Sequence, residues 1–292
     1  MFKGAITAIV TPFKENGDLD LESLKKLVVF QVDNDIDGIV PCGTTGESPS
    51  LNEEEHFEVV KTIIKASNGK VPVIAGAGSN STEHAIKMTK RAAKLGVDAV
   101  LHVCPYYNKP TQEGLYRHFS AIAKAVDIPI IIYNIQGRTA VNMETSTLAR
   151  LAKEYPNIIG VKEASGNISQ MMDVINEQPK NFTVLSGDDN LTLPLMALGG
   201  KGVISVASNI IPKEMHELCE YALNGDFDKA NKIHYKLLPL FKGIFIETNP
   251  IPIKAALAMK GMIKEVYRLP MCEMKKENKE KLRKILEGLK IV

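Results

Sequence analysis

The sequence predicts an α/β protein: a (β/α)8 TIM barrel with a C-terminal helical extension. Three observations carry this. Short apolar runs rich in Val and Ile recur along the chain, each followed by Gly, Pro, Asn or Thr and then by a longer amphipathic stretch. The runs are continuous rather than alternating, which suits strands buried on both faces of a parallel sheet. The strand–helix units number eight with short connections, which favours right-handed crossovers and closure into a barrel over an open sheet. The 292 residues fit one barrel, which needs about 250.

The expected strands are 5–10, 38–40, 73–75, 99–103, 128–133, 158–161, 183–185 and 202–205. Between them the helices announce themselves by spacing and caps. Leu21, Leu24, Leu27 and Val28 recur at helical intervals. Asn52 with Glu55 has the form of a capping box ahead of Phe57, Val60 and Ile64. Ala85, Met88, Ala92 and Leu95 make a stripe that Gly96 closes as a C-terminal cap. Leu115, Phe119 and Ile122, then Leu148 and Leu151, continue the series. Residues 1–211 are expected to form the barrel core. Residues 212–292 should complete and extend it with helices at 215–223, 229–245 and 252–259 and a Lys/Glu-rich one from 274.

Composition excludes several classes. There are 36 Lys+Arg against 34 Asp+Glu, a formal charge of +2, which gives no electrostatic reason to expect nucleic acid as a partner or an anionic membrane. No run approaches the ~18 apolar residues of a membrane helix, and the apolar stretch at 5–10 is too short for a secretory signal. Cys42, Cys104, Cys219 and Cys272 are scattered and form no CxxC pair. They read as small core residues of a protein in a reducing compartment, the cytoplasm. The six histidines share no ligand spacing, so no metal is expected. His56 and His84 fall on helices and read as surface or interface residues.

In a barrel the chemistry sits where strands end at their C-terminal side. These ends bring Thr44, Thr45, Tyr106, Tyr107, Tyr133, Arg138 and Lys162 to one mouth. Lys162 is the unusual one, because a lysine ending a doubly buried strand is costly without a role or a partner. Alternation puts it on one face with Gly160, which leaves space beside it, and with Ile158. Two readings stand: a desolvated amine able to attack a carbonyl, or a rim lysine reaching solvent or a neighbouring Glu. Tyr133 is either part of a proton path with Thr44 or a core tyrosine. Arg138 is either a bidentate carboxylate clamp or a surface arginine. The Gly43–Thr44–Thr45–Gly46 turn can offer backbone N–H groups to a carboxylate, but it lacks the Gly-Lys-Ser/Thr of a P-loop. Gly76-Ala77-Gly78 mimics a dinucleotide fingerprint without its third glycine and in the wrong fold context.

Taken together, GTTGES at 43–48, CPYYNKP at 104–110, YNIQGRT at 133–139, GVKEASGN at 160–167, LSGDD at 185–189, GVISV at 202–206 and NPIPIK at 249–254 resemble the dihydrodipicolinate synthase family, in the family's order and from residue 1 to about 270. The resemblance implies a lyase that joins pyruvate to aspartate-4-semialdehyde through a lysine imine, without metal or organic cofactor, in a homotetramer built from tight dimers. It implies Lys162 as the imine lysine and Thr44 and Tyr133 in a proton relay, with Tyr107 supplied across the dimer interface. Thr45 would hold the pyruvate carboxylate and Arg138 that of the semialdehyde, while Gly187 and Ile204 line the site. The family also implies a lysine feedback site at Ser48, Pro49, Glu53, His56, Asn80, His84 and Tyr106. Lysine-sensitive relatives carry Glu where this chain has His84, so weak or absent inhibition is expected. Gln136 replaces a common Pro and should loosen the loop before Arg138. Two alternatives remain. One is an N-acetylneuraminate lyase or 2-keto-3-deoxy-sugar-acid aldolase, which Arg138 argues against; the other is a barrel kept as a binding protein.

Overall fold

Eight parallel strands form one sheet in the computed structural model, which describes residues 2–292. They are β1 (Gly4–Ala8), β2 (Gly38–Val40), β3 (Ile74–Gly76), β4 (Ala99–Val103), β5 (Ile130–Asn134), β6 (Ile158–Glu163), β7 (Thr183–Ser186) and β8 (Gly202–Ser205). Their spatial order is β2-β1-β8-β7-β6-β5-β4-β3. The two end strands meet through the parallel bridge Ile39↔Val73, backed by the N–H of Gly76 donating to the Pro41 carbonyl at 3.0 Å, so the sheet closes on itself. Each strand lies within two residues of its expected bounds.

The helices are α1 (Leu21–Val32), α2 (Glu53–Ser67), α3 (Thr82–Lys94), α4 (Gln112–Ala125), α5 (Gln136–Thr139), α6 (Thr145–Glu154), α7 (Ile168–Glu177), α8 (Thr192–Ala197), α9 (Pro212–Leu223), α10 (Phe227–Gly243), α11 (Ile251–Met259) and α12 (Lys276–Gly288). The sequence signals act as expected. Asn52 Oδ1 accepts from the N–H of Glu55 at 2.9 Å while Glu55 accepts from the N–H of Asn52 at 3.0 Å, completing the capping box. Gly96 follows α3 with φ +83, the left-handed turn that glycine adopts without a Cβ clash. After β8, α9 packs on β1 as the last helix of the ring, and α10 to α12 form the extension.

Period-two alternation splits the core into two layers. Ile6, Ala8, Val40, Ile74, Leu101, Ile131, Leu185 and Ile204 fill the barrel interior. Their neighbours, among them Ile39, Val100, Ile130, Ile132, Val161 and Val203, pack against the helices. Each such side chain contributes about 1.5–3 kcal/mol by leaving water, which holds the register. The alternation breaks once, and this corrects the expected face of β6. Ile130 pairs with Ile158 but Ile131 pairs with Gly160, so a bulge skips Ile159. Ile158 therefore faces the helices, Ile159 turns inward, and Lys162 does not share its face with Ile158.

The outer face of the β5 and β6 ends carries polar residues that are fully engaged. The buried Glu163 carboxylate accepts from the Ser165 N–H at 2.7 Å and from Asn134 Nδ2 at 3.1 Å, and Asn134 Oδ1 accepts from the Met143 N–H at 2.9 Å. These bonds tie down the two strand ends whose opposite faces carry Tyr133 and Lys162. Three of the cysteines are buried as expected; Cys272 is exposed, because it lies in the irregular segment between α11 and α12.

Candidate active site

Lys162 and Tyr133 are register partners on β6 and β5, so parallel pairing sets them side by side inside the barrel mouth. Lys162 is only 5% exposed, and its Nζ lies 4.2 Å from the centroid of the Tyr133 ring. Neither bland alternative for Lys162 matches this geometry: the amine does not reach bulk solvent, and Glu163 points to the other face. Burial lowers the lysine pKa to about 8, against the opposing pull of the Asp188 and Asp189 carboxylates. Tyr133 and Thr44 line the same cavity, and burial raises the Tyr133 pKa, keeping the phenol protonated.

Room for the lysine comes from a different glycine than the spacing predicts. A Cβ on Gly160 would meet the Thr183 carbonyl at 2.6 Å, so Gly160 serves the tight approach of β7. A Cβ on Gly187 would lie 3.2 Å from Lys162 Cε and 2.5 Å from the Ala164 Cβ. Gly187 is thus the residue whose missing side chain clears the lysine. Ile204 lies in the same interior layer.

The turn after β2 is built by short-range bonds: the N–H of Gly46 and that of Ser48 both donate to the Gly43 carbonyl, at 3.2 and 3.3 Å. Thr45 is buried, and its Oγ1 accepts from Asn249 Nδ2 at 3.0 Å. Arg138 sits on the one-turn helix α5 at the exposed rim and donates from Nη2 to the Asn249 carbonyl at 3.1 Å. The loop that carries Gln136 forms a single helical turn. The Ala140 N–H donates to the Gln136 carbonyl at 2.8 Å and Thr139 Oγ1 donates to the Ile135 carbonyl at 3.0 Å, closing the turn. Tyr107 stands apart from its own chain's site at 89% exposure, with φ +71.

Asp188 lies in the LSGDD motif at 185–189, where the sequence assigned it no role. Its carboxyl is pushed up to about 6 by burial, with the Lys162 charge opposing. The sequence likewise assigned nothing to the buried pair of Lys254 and Glu47, although both lie in quoted motifs.

A cavity of about 260 Å³ adjoins Thr44 and Tyr133 and is lined by Ser48, Pro49, Glu53, His56, His84 and Tyr106. Asn80, expected there, is not part of the lining; its Nδ2 donates to the Tyr106 carbonyl at 3.2 Å. His56 is buried rather than on the surface. Its Nε2 lies 2.9 Å from the Gly76 carbonyl, and burial lowers its pKa to about 4, so it is neutral at pH 7. Glu53 is engaged by Lys87 at 2.7 Å and by His84 at 3.3 Å.

The sequence matches the Dihydrodipicolinate synthetase family over residues 1–289. The chain belongs to the dihydrodipicolinate synthase family. It is 53% identical to a 4-hydroxy-tetrahydrodipicolinate synthase of Hydrogenobaculum sp., with all of both chains covered. The solved dihydrodipicolinate synthase of Aquifex aeolicus superposes with a TM-score of 0.98 at 51% identity, covering 99% of each chain. A dihydrodipicolinate synthase of Acinetobacter baumannii complexed with pyruvate superposes equally well, at 45% identity and full coverage of both. Among the described residues of this family member, no helix is long and apolar enough to cross a membrane. None of its described His, Cys, Asp and Glu residues cluster in a group of three able to hold a metal ion.

Proposed function

We propose that the chain condenses pyruvate with L-aspartate-4-semialdehyde to 4-hydroxy-tetrahydrodipicolinate, as a class I, lysine-dependent lyase on the route to diaminopimelate and lysine. The observation that carries this is the desolvated amine of Lys162 stacked on Tyr133, with Thr44 lining the same cavity as the phenol. Relatives named for this synthase reaction support it over its full length.

The chemistry follows from the geometry. With its pKa near 8, roughly one Lys162 amine in ten is free at pH 7, against about one in three thousand for an ordinary lysine. The free amine attacks the pyruvate ketone, and water leaves as the protonated imine forms. Tyr133 and Thr44 carry the protons that this exchange moves, with Tyr107 of a second copy completing the relay. The imine draws electrons from the methyl group, which loses a proton to give an enamine. The enamine carbon bonds to the aldehyde carbon, whose oxygen takes up a proton. The amine of the second substrate then attacks the imine carbon, closes the ring and releases Lys162. Thr45 and the adjacent backbone hold the pyruvate carboxylate, with Gly187 and Ile204 lining the site. Arg138 holds the semialdehyde carboxylate. The reading includes a homotetramer, a dimer of dimers that would supply Tyr107. It also includes a cytoplasmic location, where the free thiols of Cys42, Cys104 and Cys219 stay reduced.

The test is turnover of pyruvate with aspartate-4-semialdehyde, read as a product that a dihydrodipicolinate reductase consumes, beside cleavage of N-acetylneuraminate and 2-keto-3-deoxygluconate. Strong semialdehyde turnover without sugar-acid cleavage is expected; the reverse would move the chain to the sugar-acid aldolases. Arg138→Ala should lower kcat/KM for the semialdehyde by about 10- to 150-fold, the 1.5–3 kcal/mol of a charged hydrogen bond, yet spare pyruvate capture. Unchanged turnover would contradict the role of Arg138. Lysine should inhibit weakly or not at all, because the cavity beside Thr44 offers no unengaged carboxylate for its amine. Steady-state inhibition in the sub-millimolar range would contradict this.

A further inference from the structure

Asn249 and Lys254 belong to the C-terminal extension, just before and just inside the start of α11, yet both reach the turn that follows β2. We propose that they are positioning residues for pyruvate, holding the 43–47 turn so that Thr45 presents its hydroxyl proton to the substrate carboxylate. This rests on the reading above that the turn binds that carboxylate.

The first contact concerns proton direction. Asn249 Nδ2 donates to Thr45 Oγ1 at 3.0 Å, and both residues are buried. A hydroxyl has a single proton. With its oxygen already accepting from Asn249, Thr45 keeps that proton for an acceptor other than the asparagine amide nitrogen. The carbonyl of the same Asn249 accepts from Arg138. One residue of the extension thus touches the groups assigned to the carboxylates of both substrates.

The second contact concerns the backbone. Glu47 closes the turn, its N–H donating to the Thr44 carbonyl at 3.1 Å, in a left-handed conformation (φ +52) that non-glycine residues seldom adopt. Its side chain runs into the core and meets Lys254 Nζ at 2.5 Å, with the lysine wholly out of solvent. The ammonium lies 4.4 Å from the centroid of the Phe13 ring. Stability alone does not account for such a pair. Apolar residues of the same volume commonly do as well or better, and Glu47 Oε2 has no protein donor. Holding the Glu47 backbone where the turn needs it does account for it.

The experiment traps the pyruvate imine with borohydride in the full chain, as a function of pyruvate concentration, with the melting temperature recorded. Lys254→Met alone would leave Glu47 as an unpaired buried charge, so the double variant Glu47→Leu/Lys254→Met is used, beside Asn249→Ala and Asn249→Asp. All three should raise the half-saturating pyruvate concentration about tenfold or more, the effect of losing a positioned hydrogen bond to a charge. Trapping at saturating pyruvate should stay within about twofold of wild type, the mark of lost binding rather than lost chemistry. Asn249→Asp should be the worse of the two Asn249 variants, because its carboxylate accepts the Thr45 proton and repels the substrate. Half-saturation unchanged in folded variants would overturn the proposal. So would a loss of trapping at saturation in step with a lost melting transition, which marks a structural role alone. A wild-type chain that captures no pyruvate would overturn the reading of the site and this inference with it.

Discussion

Replacing Lys162 by alanine is expected to lower turnover by about 10⁴-fold or more, the scale on which covalent catalysis is lost with its nucleophile. The fold should survive, because the substitution removes a desolvated cation and leaves a small gap beside Gly187. The sign of the pH dependence follows from the amine. In wild type the rate of pyruvate capture should climb through neutral pH and level off above about 8, where the amine is already free. An unshifted lysine would keep climbing for two further pH units or so, toward its ordinary value near 10.4. Stopped-flow capture of pyruvate across pH, with Lys162→Ala as the blank, reads both effects. Capture by the alanine variant, or a rate that rises without a break past pH 9, would count against the assignment.

Tyr133→Phe is expected to have the next largest effect, a fall in kcat of about 10²- to 10⁴-fold, the range for a positioned proton-transfer group. The ring stays, so the stacking against Lys162 and the packing with Ile131 remain; only the hydroxyl is lost. The step that should suffer is proton movement. Exchange of the pyruvate methyl protons with deuterated solvent, followed without the second substrate, isolates it. The variant should still accumulate trapped pyruvate at long times while its exchange slows. Exchange at the wild-type rate would show that the phenol only fills space.

The barrel was legible because its signals are local and redundant. Eight apolar runs, a capping box at Asn52 and a glycine stop at Gly96 all point to one architecture, and each element holds its place without reference to the others. The candidate site was legible where chemistry and strand ends coincide, at Lys162 and Tyr133, which the register sets side by side. What escaped depends on register and distance. The bulge at Ile159 is invisible to a period-two count because Ile158, Ile159 and Val161 are all apolar. Gly187 rather than Gly160 clears the lysine because the approach comes from the next strand, not from along the same one. The loop that carries Gln136 is a single helical turn, which the sequence did not foretell. The pairing of Glu47 with Lys254 joins residues more than two hundred positions apart, and no local pattern foretells which buried carboxylate finds which buried amine.

Lys254 also makes the central claim sharply testable, because the chain holds two buried lysines on one side of the barrel and only one of them is assigned to chemistry. Wild-type protein incubated with pyruvate, reduced with borohydride and digested should yield a single modified peptide, with the reduced pyruvate adduct on Lys162. An adduct on Lys254, or no adduct while the condensation proceeds, would contradict the imine mechanism drawn from this site.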